Sequence, residues 1–495
     1  MYEGIRLDDH VKSAIIDDLR ESTILEAAKP QHIPTMAQDG ILKVLHGTTS
    51  IDELERMVDL YHQTGDGVVP AQEIALAAEE IHTITDVITK VQNLENAPER
   101  SDASETIHTL LGGALSLGAS DLHIEPEGDG TRIRYRLDGA LWDIATVTMN
   151  TYELLRIRLK LFATLKLNTP TTPQDGRFTI DIGKKEYEVR LSVIPGGNGE
   201  SIVMRFLDPD SVEVKIEQLG INEALLPVIY EELKRPNGMI ITTGPTGSGK
   251  TTTLYTFLQM VHSKEVKIIT LEDPIEYHIP GIVQTQTTSE YSFASGLRSI
   301  LRQDPNIILV GEIRDGEVAE TAMNAALTGH LVFSTLHTNS AAGAFSRLHD
   351  LGVDARTMGS ALNLVLAQRL VRKLCPHCKV ARALTNEEQV HFTRILDTLT
   401  PPTPLGAAQI YEAVGCNKCS GIGFKGRVGV YEGIRVDDRV RNAVIDDLRE
   451  STILEAAKPQ HIPTMSQDGI FKVLNGTTSL SELEHVVDLY RSTSA

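Results

Sequence analysis

Three short apolar runs punctuate the middle of the chain, each bounded by polar or turn-forming residues. They are Met239–Thr243, Ile307–Val310 and Leu331–Phe333. A strand that is buried on both faces of a parallel sheet carries apolar residues continuously, without alternation. The pattern therefore predicts interior parallel strands. A helix is also expected after the strand Met239–Thr243.

Residues 103–207 show a different pattern. The segment "TRIRYRLDG" alternates apolar and polar residues, which predicts a half-buried strand, and "EGDG" before it predicts a turn. Further strands are expected in "GKKEYEVRLSVIPGGNGESIVMRFL". These features favour a small α+β domain.

Apolar residues recur every four positions near the C-terminus, which predicts an amphipathic helix containing Val436, Val440, Val444 and Leu448. Two Ser/Thr-x-x-Glu patterns predict capping boxes: Thr452 with Glu455, and Ser479 with Glu482.

The C-terminal segment is repeated at the N-terminus. Aligning Tyr2–Thr64 with Tyr431–Thr493 gives 63 pairs with 14 mismatches, hence 49 identities. The first copy keeps the apolar face, so we expect it to fold as the second does. Two interpretations stay open: an extra module that packs where the C-terminal copy sits, on its own or a neighbouring subunit, or a remnant without a role.

Bulk composition narrows the function classes. A net charge of -20 and 5% aromatic residues argue against a protein that holds nucleic acid along its surface. No apolar run approaches the ~20 residues of a membrane span, and the N-terminal residues are charged. We therefore expect a cytoplasmic protein of two to four domains.

The segment "GPTGSGKT", Gly244 to Thr251, fits the P-loop pattern in full. Its glycines let consecutive N–H groups face a phosphate, Lys250 brings a cation to the outer phosphates, and the Thr251 hydroxyl can bind Mg²⁺. The predicted nucleotide-binding residues are Gly244, Pro245, Thr246, Gly247, Ser248, Gly249, Lys250, Thr251 and Thr252.

Carboxylates follow two of the predicted strands. "TLEDPIEY" places Glu272, Asp273 and Glu276 at the end of one strand, and Glu312 follows Ile307–Val310 at the Walker-B position. A glutamate there can orient or deprotonate an attacking water, although an acidic strand end is often only a polar turn.

Cationic and histidine side chains add further candidates. His330 and His337 bracket the third apolar strand, with Thr335 and Thr338 nearby, which suggests a γ-phosphate sensor. Arg298 and Arg302 share one face of a predicted helix; surface ion pairs and a phosphate across a subunit boundary are equally good explanations. His123 and Glu125 lack a third metal ligand at sensible spacing.

The four cysteines form two Cys-x-x-Cys pairs. We expect Cys375, Cys378, Cys416 and Cys419 to hold a structural Zn²⁺, rather than to act as redox pairs, because the sequence lacks a thioredoxin-like setting.

The order P-loop, "TLEDPIEY", "VGEIRD", "TGHLVFSTLHTN" resembles the secretion and pilus-assembly ATPases of the type II/type IV superfamily (the GspE/PilB type) over roughly residues 101 to 495. The resemblance implies an α/β fold: a RecA-like P-loop ATPase core with a preceding small α+β domain, a tetracysteine zinc element and a helical C-terminal module. Glu276 matches the water-activating position, Glu312 the Walker-B glutamate, and His330 and His337 the histidine box.

The resemblance also assigns roles to the flanking regions. Arg190 and Arg205 match arginines that reach the nucleotide from the domain edge, where a guanidinium can neutralise charge on a transferring phosphoryl group. The expected divisions are a duplicated helical module 1–66, a connector 67–102, an α+β domain 103–207, a hinge 208–218, the core 219–370, a zinc element 371–428 and a helical module 429–495.

We therefore expect a Mg²⁺-dependent ATPase, hexameric, that binds ATP, Mg²⁺ and Zn²⁺ and powers type IV pilus or type II pseudopilus assembly. Its partner would be the inner-membrane platform protein, and its place the cytoplasmic face of that membrane. One alternative is a nucleic-acid translocase or DNA-uptake motor on the same core, which stimulation by single-stranded DNA would reveal. The other is a nonhydrolytic scaffold, against which the intact P-loop, Glu276 and Glu312 argue.

Overall fold

The structure is a computed structural model. It describes residues 6, 8, 11–12, 27–31, 33, 36–46, 48–50, 74–75, 81, 83–96, 103–182, 185–207, 214–399, 405 and 408–489. The chain divides into two compact units, Met1–Ile74 and Ala75–Ala495. Most of the connector predicted at 67–102, and residues 208–213 of the predicted hinge, lie outside the described residues. Within them, no helix combines the length and apolar character needed to cross a bilayer.

The strands are β1 Ile74–Ala75, β2 Ala119–Pro126, β3 Thr131–Leu137, β4 Ala140–Val147, β5 Gln174–Ile182, β6 Lys185–Gly196, β7 Gly199–Leu207, β8 Gly238–Thr243, β9 Ile268–Glu272, β10 Val283–Gln286, β11 Ile307–Val310, β12 Leu331–Leu336, β13 Leu362–Leu374, β14 Val380–Ala383, β15 Gln409–Glu412 and β16 Phe424–Arg435.

The α-helices are α1 Met36–Leu45, α2 Ile84–Glu95, α3 Ala103–Ser116, α4 Met149–Phe162, α5 Leu225–Glu232, α6 Lys250–Val261, α7 Phe293–Leu301, α8 Gly316–Leu327, α9 Gly343–Asp350, α10 Ala355–Ala361, α11 Asn386–Leu396, α12 Asp438–Asp446, α13 Glu450–Ala457, α14 Met465–Leu474 and α15 Leu480–Glu484. Short 3₁₀ turns occur at Lys29–Gln31, Ile216–Gln218, Asn417–Cys419 and Lys458–Gln460.

An antiparallel sheet precedes the P-loop region, with strands in the order β5-β6-β7-β2-β3-β4. The alternating sequence of β3 produces alternating burial. Ile133 and Tyr135 are fully buried, whereas Arg132, Arg134 and Arg136 are only partly buried. The Tyr135 hydroxyl donates to the Leu110 carbonyl at 2.6 Å, which fixes α3 on the sheet. The α+β prediction for this region agrees with this arrangement.

The second sheet has the order β10-β9-β11-β12-β8-β13-β16. All neighbours are parallel except β13 and β16. Strands β8, β9, β11 and β12 are buried along their whole length, as the apolar runs predicted for β8, β11 and β12. Because parallel strands end at the same edge, the segments that follow β8, β9, β11 and β12 meet there. Strands β13 and β16 cross the boundaries expected at 370/371 and 428/429, so sheet and zinc element are continuous.

The C-terminal tail packs on this sheet through short helices. Val440 and Val444 in α12 are fully buried, while Val436 precedes the helix and Leu448 follows it, so the expected helix is shorter at both ends. The predicted cap at Thr452 is wrong, because α13 already begins at Glu450 and the Thr452 hydroxyl donates to Asp447.

At Ser479 the predicted cap is confirmed, because its hydroxyl accepts from the Glu482 N–H, but the predicted capping box is not complete, because the Glu482 carboxylate bonds Arg372 instead. The Glu482 carboxylate bonds the Arg372 guanidinium at 2.6 Å, which attaches the tail to β13.

Candidate functional site

A glycine-rich turn connects β8 to α6. Gly244, Gly247 and Gly249 have φ values of 151°, 78° and 86°, in a region that side-chain-bearing residues rarely adopt. A Cβ at Gly244 would lie 2.5 Å from the Gln368 carbonyl oxygen, so the loop also needs glycine for space. The N-cap of α6 is Gly249, and no side chain caps this end. The first N–H groups of α6 therefore remain available to an anion.

Lys250 lies within this turn and is only 8% exposed. Its ammonium donates to the Gly244 and Pro245 carbonyl oxygens at 2.7 and 3.0 Å. Burial lowers the Lys250 pKa to about 8, although the charge of Glu312 opposes this shift. The Ser248 hydroxyl is buried and has no partner among the described residues. A buried cation and an unpaired hydroxyl beside free N–H groups suit a phosphate.

Glu312 and His337 meet beyond the ends of β11 and β12. The His337 Nε2 lies 3.2 Å from a Glu312 carboxylate oxygen, and Arg314 bonds the other oxygen. Burial alone would raise the Glu312 pKa, but the hydrogen bonds from Arg314 and His337 outweigh it, and the pKa is lowered. This arrangement keeps a carboxylate ionised two residues beyond a buried strand.

The same edge is joined to the P-loop strand by paired threonines. The Thr243 and Thr338 hydroxyls lie 2.7 Å apart, and the Thr338 N–H donates to Thr243 at 2.8 Å. The loop carrying His337 is therefore fixed to the residue immediately before Gly244. Thr335 bonds the Gly311 carbonyl at 2.8 Å and so holds β12 against the start of the Glu312 segment.

Two acidic residues after β9 have different environments. Glu272 is buried and accepts from the Tyr255 and Thr270 hydroxyls, so it stabilises the core. Glu276 is 39% exposed, and its carboxylate lies 3.9 Å from the Arg190 guanidinium. Arg190 also donates to the Ile275 carbonyl at 2.5 Å. The antiparallel sheet thus contacts the Glu276 loop directly.

Arg205 and Arg298 bind carboxylates elsewhere. Arg205 lies opposite Arg190 in the β6–β7 register, but its guanidinium bonds Asp121 at 3.0 Å and is 59% exposed. Arg298 pairs with Glu317 on the helix surface, in agreement with the surface ion-pair explanation.

The structure does not bring His330 to this group. His330 precedes β12 whereas His337 follows it, and six strand residues separate them by about 20 Å. The His330 ring bonds the Ala325 carbonyl at the far edge of the sheet, at 3.0 Å. The prediction that His330 lies beside His337 in a phosphate sensor is therefore wrong, and His330 is not part of the candidate site.

Arg369 is a candidate that the sequence analysis missed. Its guanidinium donates to the Gln368 and Asn339 carbonyl oxygens at 3.0 and 3.1 Å, close to Gly244. Burial lowers the Arg369 pKa, although the charge of Glu432 opposes this shift. The signal in the sequence is the polar pair Gln368-Arg369, which directly follows the apolar run Leu364–Ala367 in β13.

The four cysteine sulfurs converge, within 4.8 Å of one another. The Cys375–Cys416 and Cys378–Cys419 sulfur pairs are 3.9 and 3.7 Å apart. The Cys419 sulfur also accepts the N–H groups of Cys416 and Gly423, each at 3.2 Å. This cluster of four sulfurs fits the donor set of a tetrahedral Zn²⁺ site, and the N–H groups that donate to Cys419 suit a thiolate ligand.

Residues 97–485 match the family model of the type II/IV secretion system protein. The chain belongs to this family. Type II secretion system protein E of Aeromonas hydrophila is 39% identical over 438 residues, 88% of this chain and 86% of that protein. The type IV pilus assembly ATPase TfpB of Acinetobacter baylyi is 39% identical over 445 residues, covering 89% and 75%.

Solved structures agree with the fold expected of this secretion ATPase family. The ATPase DotB of Legionella pneumophila has a TM-score of 0.57 at 22% identity, covering 77% of this chain and 95% of its own. The pilus retraction motor PilT with bound ADP has a TM-score of 0.50 at 26% identity, covering 76% and 95%. The predicted fold class and the prediction of an ATP-hydrolysing enzyme are confirmed.

Proposed function

We propose that this ATPase works as a Mg²⁺-dependent ring of six chains that converts ATP to ADP and phosphate to drive assembly of a type IV pilus or a type II secretion pseudopilus. Its partner would be the platform protein of that machine at the cytoplasmic face of the inner membrane. The names of the relatives, type II secretion system protein E and type IV pilus assembly ATPase, support this choice.

One observation carries the proposal. The buried cation of Lys250 and the ionised carboxylate of Glu312 follow strands β8 and β11, which flank β12 at the same sheet edge. Phosphoryl transfer needs mainly positioning and charge stabilisation from the protein, here a cation for the phosphate and a carboxylate suited to Mg²⁺. A site with both charges beside an uncapped helix N-terminus meets that requirement.

Each side chain then has a distinct role. The N–H groups of the Gly244–Thr251 turn hold the phosphates, and Lys250 leaves its own loop carbonyls to neutralise charge on the transferring group. The Thr251 hydroxyl and Glu312 are the residues suited to Mg²⁺, which supplies charge neutralisation when bound. Glu276 orients the attacking water and accepts its proton, while Arg190 holds the Glu276 loop.

His337 has the position of a sensor of the γ-phosphate. It bonds Glu312 at one end, and its loop is fixed to Thr243 through Thr338. A change of charge at the phosphate therefore alters the Glu312–His337 bond and the segment after β12. A Zn²⁺ ion held by the four cysteines would have a full set of protein ligands, which favours a structural role.

The test combines turnover and assembly. The purified full chain should hydrolyse ATP only with Mg²⁺, and native mass spectrometry with ATPγS should show six chains. A Lys250→Met variant should assemble but not hydrolyse, and the same change at exposed Lys264 is the matched control. Turnover in the presence of EDTA, or a purely monomeric protein with nucleotide, would contradict the proposal.

A further inference from the structure

The N-terminal unit has the local hydrogen-bond network of a C-terminal tail. The Gln31 side-chain amide donates to the Arg6 carbonyl at 2.7 Å and to Asp8 at 2.9 Å, and its oxygen accepts the Arg6 N–H at 2.9 Å. The Val11 N–H donates to the Asp8 carboxylate at 3.0 Å, and Val11 is fully buried.

The tail repeats this network 429 positions later. The Gln460 amide donates to the Arg435 carbonyl at 2.7 Å and to Asp437 at 3.2 Å, and accepts the Arg435 N–H at 3.0 Å. The Val440 N–H donates to Asp437 at 3.0 Å. The two copies of the repeat therefore form the same local hydrogen bonds at equivalent residues.

In the tail, one helix of this module is buried against the ATPase core. Helix α14 packs on β16, β15 and α11, and its Ile470 and Val473 are fully buried. The Gln467 side chain donates to the Thr398 hydroxyl at 2.7 Å, beyond the end of α11. Asp468 and Lys472 form a buried ion pair of 2.5 Å on the same helix.

In the N-terminal unit, the equivalent face of α1 is exposed. Ile41, Leu42 and Leu45 are 44%, 45% and 75% exposed, and they correspond to Ile470, Phe471 and Leu474. The equivalent ion pair, Asp39 with Lys43, is likewise 26% and 35% exposed, against 2% and 11% in the tail. Three large apolar residues are thus exposed within ten residues of helix, and adjoining apolar residues of this kind are typical of an interaction surface.

We propose that α1 of the N-terminal unit binds the ATPase core of a second copy of this chain, at the surface that holds α14. The same chain provides the argument for this occupant. That surface already accepts a helix with nearly the same residues at the contacting positions, where the one difference is Phe471 in place of Leu42. The matching pairs are Gln467 and Gln38, Asp468 and Asp39, Ile470 and Ile41, Lys472 and Lys43, Val473 and Val44, and Leu474 and Leu45.

Whether α1 replaces α14 on a core depends on the local concentration of the N-terminal unit. The tail is tethered to its own core, so the N-terminal copy replaces it only where an oligomer holds a neighbour's unit nearby. Exchange of an identical element between subunits is a low-cost route to association.

The experiment uses the full chain with a photoreactive benzoylphenylalanine in place of Leu45. Mixing ¹⁴N and ¹⁵N chains lets mass spectrometry separate links between copies from links within one. We expect mixed-isotope links to Asn386–Leu396 or Gln409–Glu412, the elements on which α14 packs. Links confined to one isotope, or mixed links only to other surfaces, overturn the proposal.

A charge variant sharpens the test. Leu42→Glu should lower the mixed-isotope yield at least about tenfold, because it buries a carboxylate in an apolar contact. Leu42 is exposed, so the unit keeps its fold. His46→Glu adds the same charge where both His46 and its tail equivalent, Asn475, are exposed, and its yield should match the parent. Equal losses in both variants, or a loss in neither, would contradict docking through this face.

Discussion

Replacing Lys250 by Met should make the nucleotide-free protein more stable while abolishing ATP hydrolysis. Lys250 is 8% exposed, and among the described residues its ammonium donates hydrogen bonds only to the two loop carbonyls of Gly244 and Pro245. Burial disfavours this charge until a phosphate faces it. Methionine has a similar length, fills the same space and carries no charge.

The magnitude follows from the pKa. Burial lowers the Lys250 pKa from 10.5 to about 8, a shift of about 2.5, which corresponds to about 3 kcal/mol of disfavoured charge at pH 7. Methionine leaves two carbonyl oxygens without their donor, which costs about 1–2 kcal/mol in total. Lys250→Met should therefore gain about 1–2 kcal/mol, or a few degrees in Tm.

The pH dependence has a definite sign. The folded protein binds the Lys250 proton less tightly than the unfolded chain, so wild-type stability from this group rises with pH between about 8 and 10.5. The advantage of Lys250→Met should thus be full at pH 7.5 and shrink by pH 9.5. Thermal unfolding followed by fluorescence, with and without Mg²⁺ and ATPγS, measures both effects. Nucleotide should raise the Tm of wild type only.

Lys264→Met is the matched control, because Lys264 is exposed on a loop and the same substitution should leave Tm and turnover unchanged. A Lys250→Met protein that is less stable than wild type at pH 7.5, or that keeps a constant difference up to pH 9.5, would refute the argument. So would hydrolysis within tenfold of wild type, since loss of a preorganised charge contact costs about 10²–10³ in rate.

Three other changes have clear expectations. Glu312→Gln should lower kcat about 10²-fold while ATP still binds, whereas Glu317→Gln, in an exposed ion pair, should not; equal rates would exclude Glu312 from the site. Arg190→Ala should lower kcat about tenfold through loss of its bond to the Glu276 loop, and exposed Arg177, its cross-strand neighbour, is the control. Elemental analysis should find about one zinc per chain, lost in Cys416→Ser; zinc-free folded wild type would contradict this.

The sequence predicted best what depends on local pattern. Continuous apolar runs identified the buried strands β8, β11 and β12, and the P-loop was located because its glycines and Lys250 are adjacent in sequence. The meeting of the four cysteines was predicted although 37 residues separate the two pairs, because thiols of this spacing serve a common metal.

What the sequence could not give depends on packing over long separations. His330 and His337 look equivalent in a motif, but a strand of six residues lies between them and sends them to opposite edges of the sheet. Arg369 comes near Gly244 because β13 pairs with β8, and the sequence around either strand does not predict this pairing. The Thr-x-x-Glu pattern at Thr452 predicted a helix start there, but α13 begins earlier, at Glu450, because tertiary contacts also determine where a helix starts.

The most direct test of the central claim is a cryo-electron microscopy map of the full chain with Mg²⁺ and ATPγS. The terminal phosphate should lie within hydrogen-bond distance of the Lys250 ammonium, about 3 Å, with that ammonium withdrawn from the Gly244 and Pro245 carbonyls. Nucleotide bound elsewhere, or Lys250 still bonded to its own loop with the nucleotide in place, would contradict the account.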